Sequence, residues 1–216
     1  VEDAAQAFCA KLNGVHAGRF SKVASLSMNP MKMLGGFGES GAIITDSEKI
    51  YNKIKILRHA GISSKRKKFS YNNSLEPSLN HKIDNLQSLF LNFRLKKIKK
   101  IHKRRKNIAK IYDEELKGIV ELQPYHKNEI HGRYLYTIKS SNRDKLSNYL
   151  NDNNIETKVY YQPLCCYFYY LKNNYENIHI PNARKQVKRF LSIPLHEKLN
   201  NNQIELFINK IKKFIR

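Results

Sequence analysis

The chain has 216 residues, of which 41% are hydrophobic and 11% aromatic, a composition that is typical of a globular protein and excludes a disordered one. Its 40 Lys and Arg against 18 Asp and Glu give a net charge of +22, which favours an anionic partner such as nucleic acid. Because Lys is abundant along the whole chain, we interpret this charge as compositional bias rather than a dedicated patch. No apolar run reaches the roughly 20 residues that span a bilayer, and the acidic opening segment predicts no secretory signal.

The first half of the sequence alternates short strands with helices, as in an α/β domain. Strands are predicted at the start of the chain, at 23–27 and at 42–45, the last of them buried. A helix capped by Asp46 or Ser47 should run to about His59, and the polar, basic stretch 62–77 predicts a long loop. A long helix is then predicted over 83–116, ended by Gly118.

From about residue 119 the pattern changes to that of a small α+β domain. Strands are predicted at 134–139 and 157–161, and helices at 144–153, 183–191 and 203–215. We therefore predict two domains, 1–117 and 118–216.

The three cysteines indicate a reducing compartment. Their number is odd and Cys165 is adjacent to Cys166, which predicts no disulfide framework. No Cys/His quartet has the spacing of a zinc site, so we expect no metal. These features favour a cytoplasmic protein without a membrane partner.

Lys32 stands out among the basic residues because its neighbours are Met, Pro, Leu and Gly. Asp3 and Ser27 precede it, and a glycine-rich run follows it. An amine, a carboxylate and a hydroxyl in this arrangement fit pyridoxal phosphate chemistry. The amine forms a Schiff base with the aldehyde, the carboxylate pairs with the pyridinium nitrogen, and the hydroxyl can reach the phosphate.

Ordered motifs along nearly the whole chain carry a family resemblance. They are Asp-Ala-Ala-Gln at 3–6, Ser-Met-Asn-Pro-Met-Lys at 27–32, Gly-Glu-Ser-Gly at 38–41, Arg-His-Ala-Gly at 58–61, Asn-His-Lys-Ile at 80–83, Tyr-Gln-Pro-Leu at 161–164 and Ser-Ile-Pro-Leu-His at 192–196. In these motifs the chain resembles the sugar aminotransferases of the DegT/StrS type. The resemblance implies the C-terminal part of a fold-type I pyridoxal phosphate transferase, an α/β fold with a partial large-domain sheet, a long linking helix and a small α+β domain.

The resemblance also implies roles for five residues. Lys32 would form the Schiff base with pyridoxal phosphate and then move a proton between cofactor and substrate. Asp3 would pair with the pyridine nitrogen, Gln6 would lie beside the phenolic oxygen and the substrate, and Ser27 would bind the phosphate. Asn80 would reach the phosphate of a neighbouring subunit's cofactor, which implies a homodimer with shared active sites.

The implied reaction is the transfer of an amino group, with glutamate as donor, to a nucleotide-linked keto sugar in amino-sugar biosynthesis for a surface polysaccharide or glycoconjugate. A related dehydratase branch has histidine in place of the lysine, so Lys32 favours transamination. Lys82 stands where arginine is common, Ser78 where glycine is common, and Cys165 where many relatives have histidine. The Cys165 departure weakens assignment of the substrate, and the sequence predicts neither the sugar, nor the ring position, nor the nucleotide.

Family members carry a long section before the aspartate, with a phosphate-binding turn and a ring-stacking aromatic. We therefore expect the chain to be the C-terminal part of a longer enzyme, from a truncated gene, a split gene or partial sequence, and inactive alone. Two alternatives stay open: a basic nucleic-acid-binding protein, which we do not favour, and a non-catalytic remnant that dimerises with an intact paralogue.

Overall fold

The computed structural model describes residues 1–63, 74–161 and 179–215. They form two compact units, Val1–Lys100 with Lys127–Tyr134, and Ile101–His126 with Leu135–Arg216. Cys165, most of the motif at 161–164 and most of the loop expected at 62–77 lie outside the described residues. No helix in the described part of the chain is long and apolar enough to cross a membrane.

The main sheet of the first unit is formed by strands β1 (Glu2–Asp3), β4 (Ala24–Ser27) and β5 (Gly41–Ile44). Strand β4 lies between the other two, parallel to β1 and antiparallel to β5. All three strands were predicted from the sequence. The expected burial of the last one is wrong, because β5 has a partner strand on one side only among the described residues and leaves the Ile43 side chain 54% exposed.

A second small sheet was not predicted. It consists of the two-residue strands β2 (Lys11–Leu12), β3 (Val15–His16) and β6 (Glu129–Ile130), in the order β3–β2–β6 with antiparallel pairing. Asn13 and Gly14, both with positive φ (50° and 80°), make the tight turn between β2 and β3. An Asn-Gly pair is the residue choice that such two-residue hairpin turns prefer.

The two helices of the first half follow the predictions closely. Helix α1 (Glu48–Arg58) begins after Ser47, whose hydroxyl accepts a 3.4 Å hydrogen bond from the amide of Ile50. Helix α2 (Asn85–Leu116) has 32 residues. Gly118, two residues after the last helical residue, has a φ of +76° and follows the usual rule for a left-handed residue after a helix.

The second unit packs helices against the two-stranded antiparallel sheet of β7 (Tyr136–Lys139) and β8 (Phe190–Ile193). The helices are α3 (Arg143–Asp152), α4 (Pro181–Val187) and α5 (Asn201–Ile215). The core side chains from α2, β7, α3, β8 and α5 are buried almost completely, and they include Ile108, Tyr112, Ile138, Leu146, Leu191 and Ile211.

The boundary between the two compact units lies within α2, between Lys100 and Ile101, because the last turns of this helix supply core residues to the second unit. The residues 127–134 belong to the first unit, where β6 pairs with β2. The domain boundary expected at 117/118 differs from this division and stays a prediction.

Two sequence-based predictions in the second unit are wrong. The strand expected at 157–161 is a single antiparallel bridge between Lys158 and Ser192, since no neighbouring pair continues the ladder. The helix expected at 183–191 ends at Val187, and Leu191 lies instead in β8, where it pairs with Ile138 of β7. Strand pairing outweighs the helical spacing of these residues.

Candidate active site

Asp3 and Ser27 lie at the same edge of the main sheet. Strands β1 and β4 are parallel with Asp3 opposite Ser25, and both strands end at this edge, at Asp3 and at Ser27. Ligands of open α/β sheets bind at the carboxyl ends of such strands. The Asp3 side chain is exposed, and its Oδ1 accepts a 3.0 Å hydrogen bond from the amide of Ala5.

Ser27 is half-buried, and its hydroxyl oxygen accepts a long hydrogen bond of 3.4 Å from the amide of Asn29. Asn29 then organises the turn before the lysine. Its side-chain oxygen accepts from the Met31 amide and its carbonyl from the Lys32 amide, both at 2.8 Å. These bonds fix the backbone of Lys32 directly after the end of β4.

The Lys32 side chain is half-buried, whereas the two residues that follow it, Met33 and Leu34, are each only 2% exposed. The burial of Met33 and Leu34 anchors the turn that carries Lys32. The Lys32 ammonium lies over the ring of Tyr134, with Nζ 4.6 Å from the ring centroid. This distance is within the range of a cation–π interaction.

The glycine-rich run after Lys32 is held against α2 by Gln87. The side-chain oxygen of Gln87 accepts a 2.8 Å hydrogen bond from the Phe37 amide, and the Phe37 ring packs on Phe90 with centroids 3.6 Å apart. A Cβ at Gly36 would come within 2.7 Å of the same Gln87 oxygen. Glycine at this position therefore permits the close approach of loop and helix.

Gln6 and Asn80, the other two predicted site residues, are both exposed. Gln6 lies in the turn that follows β1, where the Ala7 amide donates to the carbonyl of Ala4 at 3.1 Å. Asn80 forms an antiparallel bridge with His59, and its side-chain oxygen accepts from the Lys82 amide at 3.4 Å. The structure thus brings Asp3, Ser27 and Lys32 to one edge, whereas no contact found among the described residues joins Asn80 to them.

The sequence-based reasoning missed Tyr134 and the role of Gln87. Gln87 lies near the start of the predicted long helix, and this position could have indicated contact with an upstream loop. Tyr134 had no local signal, because the contact with Lys32 depends on the unpredicted pairing of β6 with β2.

A family model matches residues 1–212, almost the entire chain, and describes the DegT/DnrJ/EryC1/StrS aminotransferase family. The chain belongs to this family. Pyridoxal phosphate is the cofactor of these aminotransferases. The donor set at the sheet edge fits it, because a half-buried amine, an exposed carboxylate and a hydroxyl at a strand end are the groups that such a cofactor needs.

Curated relatives include members of the DegT/DnrJ/EryC1/StrS family with different names. A pleiotropic regulatory protein of Geobacillus stearothermophilus is 31% identical over all of this chain and 58% of its own length. The dTDP-3-amino-3,4,6-trideoxy-alpha-D-glucose transaminase of Streptomyces venezuelae is 28% identical over 99% of this chain and 56% of its own length. The chain thus spans somewhat more than half the length of these two relatives.

Solved structures share the fold of this chain. DesV from S. venezuelae superimposes with a TM-score of 0.88 and 25% identity, over 99% of this chain and 57% of DesV. A sugar aminotransferase from Streptococcus pneumoniae, at 20% identity, superimposes in its PMP form with a TM-score of 0.90, over 99% of this chain and 56% of the other. The described residues therefore have the architecture of a C-terminal portion of a fold-type I transferase.

Proposed function

We propose that this chain is the C-terminal part of an aminotransferase that moves an amino group from glutamate to a keto sugar carried on a nucleotide. The proposal rests on one observation, the placement of Asp3 and Ser27 at the ends of adjacent parallel strands with Lys32 in the turn that follows. The names of relatives support the substrate class, since they include transaminases of dTDP-linked and UDP-linked sugars. We further propose a cytoplasmic homodimer that serves amino-sugar biosynthesis.

Each residue at the sheet edge has a distinct part in this proposal. When bound, pyridoxal phosphate supplies an aldehyde that accepts an amine and a ring that withdraws electrons. Lys32 would hold it through the side-chain amine and carry a proton at Nζ. The Asp3 carboxylate would keep the ring nitrogen protonated, because a nearby negative charge favours the cationic form.

Ser27 and Gln6 would orient the cofactor from two sides. The Ser27 hydroxyl would donate a hydrogen bond to the phosphate, while Gln6 would lie beside the phenolic oxygen and the incoming sugar. Asn80 would act on the cofactor phosphate of a second subunit. Because the chain spans only 56–59% of three of its curated relatives, we expect the 216 residues alone to bind cofactor without turning over a sugar substrate.

The proposal is tested by trapping the cofactor on the chain. The purified protein is mixed with pyridoxal phosphate, reduced with borohydride and digested, and the modified lysine is located by mass spectrometry. We expect one dominant adduct, at Lys32, together with a visible absorption band before reduction. The Lys32→Arg variant should lose both signals, whereas the matched variant Lys22→Arg, at an exposed lysine of the same unit, should keep them. An adduct spread evenly over many lysines would contradict the proposal.

A further inference from the structure

Four lysines of the described part of the chain lie over aromatic rings, and the Lys32–Tyr134 pair differs from the other three. Two of the others join residues four apart in one helix, Lys55 over Tyr51 and Lys97 over Phe93. The third joins Lys139 to Phe190, which face each other across the β7–β8 ladder. Regular secondary structure brings these three pairs together, but it does not explain the contact of Lys32 with Tyr134.

A separate segment carries Tyr134 to the lysine. Residues 101–126 and the residues after 134 belong to the second unit, whereas 127–134 belong to the first. Strand β6 pairs with β2, and the Asn13 amide donates to the Asn128 carbonyl at 3.0 Å. These bonds attach the segment just upstream of Tyr134 to the start of the chain.

The two residues before Tyr134 fix the direction of its approach. A Cβ at Gly132 would come within 2.7 Å of the Phe8 carbonyl oxygen, so the backbone at Gly132 lies close to the backbone at Phe8. Arg133 has a φ of +58°, and its amide donates to Nδ1 of His131 at 2.8 Å. A left-handed non-glycine residue is uncommon and costs free energy, which the surrounding contacts must offset.

The Tyr134 ring restrains Lys32 in two ways. Its face attracts the ammonium, and the half-buried contact restricts a side chain that would otherwise have four rotatable bonds. The ring therefore holds the ammonium at one place beside the strand ends.

We propose that Tyr134 is a positioning residue that holds the Lys32 ammonium at the candidate site until the amine is used. The inference rests on the proposed function for its meaning, since a lysine of no catalytic use would not need this restraint. It concerns the protein without cofactor, so that it is tested independently of cofactor binding.

The test measures how fast Lys32 reacts with a small amine-specific reagent, such as acetic anhydride in trace amounts, at one pH. An amine held against the ring is less available to the reagent, so losing the ring should raise the labelling rate of Lys32. For Tyr134→Leu we expect an increase of about two- to five-fold, from the usual strength of a cation–π contact that is not fully buried. Tyr134→Phe, which keeps the ring, should label Lys32 close to the unsubstituted rate.

Controls separate attraction by the ring from simple shielding and from misfolding. Tyr51→Leu, which removes the ring beneath Lys55, should change the labelling of Lys55 and not of Lys32. If folded Tyr134→Leu labels Lys32 at the unsubstituted rate, or if Tyr134→Phe raises the rate as much as Tyr134→Leu does, the proposal is overturned. If the variant does not fold, reductive ¹³C-methylation of the unsubstituted protein decides. The Lys32 methyl signal, assigned by its loss in Lys32→Arg, should lie upfield of exposed lysines, and an unshifted signal would refute the contact.

The two proposals fail separately. If no cofactor is trapped on Lys32 but its labelling rate changes when Tyr134 is substituted, the proposed function is rejected and the Lys32–Tyr134 restraint is kept. If cofactor is trapped on Lys32 but its labelling rate does not change when Tyr134 is substituted, only the restraint is rejected.

Discussion

The side-chain oxygen of Gln87 accepts a 2.8 Å hydrogen bond from the amide of Phe37, which joins the glycine-rich loop after Lys32 to the first turn of α2. Gln87→Leu removes this acceptor and should lower the free energy of unfolding by about 1 kcal/mol, the usual worth of one such bond. Gln87→Glu keeps an oxygen there and should cost less. Urea denaturation measures both. The exposed Gln123→Leu serves as the control, and an effect of equal size there would contradict the assignment.

Gly36→Ala should destabilise the same contact through a change in the loop rather than in the helix. The added Cβ would lie 2.7 Å from the Gln87 side-chain oxygen, so this side chain must move and lose its hydrogen bond from the Phe37 amide, which costs about 1 kcal/mol. Because the clash is with Gln87, the double variant Gly36→Ala/Gln87→Ala should cost less than the sum of the single changes. Strict additivity in the denaturation free energies would show that the two sites do not interact.

In the second unit, the Arg105–Glu197 ion pair is nearly buried, with Nε 3.2 Å from Oε2 and side chains 8% and 15% exposed. Glu197→Ala leaves a guanidinium in a poorly solvated place and should cost about 3–5 kcal/mol of unfolding free energy. The matched control is Glu114→Ala, which breaks the exposed Lys110–Glu114 pair and should cost at most about 0.5 kcal/mol. Similar losses in the two variants would contradict the role of burial.

His196 should make stability depend on pH. Burial, followed by the nearby Arg105 charge, lowers the pKa of His196, while Glu197 acts in the opposite direction. Because the unfolded chain then takes up the proton more readily, stability is complete above the ordinary histidine pKa of about 6.5 and declines as the pH falls below it. His196→Gln should flatten the decline in denaturation midpoint between about pH 7 and pH 5. An unchanged slope in His196→Gln would assign the decline to other groups.

The sequence predicted the elements whose signals are local. Ser47 and Gly118 mark where α1 begins and α2 ends, and both act as expected. It failed where long-range pairing decides, as for Leu191, whose place in β8 depends on a partner in β7 far along the chain.

The same distinction separates the residues of the candidate site that the sequence predicted from the one that it did not. Asp3, Ser27 and Lys32 were predicted from residue type and motif, and their roles stay predictions; the parallel pairing of β1 with β4 accounts for their common edge. Tyr134 could not be found, because its contact with Lys32 depends on β6, a two-residue strand without any periodicity to detect.

Strand β5 has a practical consequence for anyone who handles the purified chain. Ile43 and Ile44 are 54% and 36% exposed on a strand whose outer backbone edge has no partner strand among the described residues. Such an edge is a template on which a second molecule can add a strand. We therefore expect strand addition at β5 to limit the working concentration of the protein, and Ile43→Lys should raise that limit without touching Lys32.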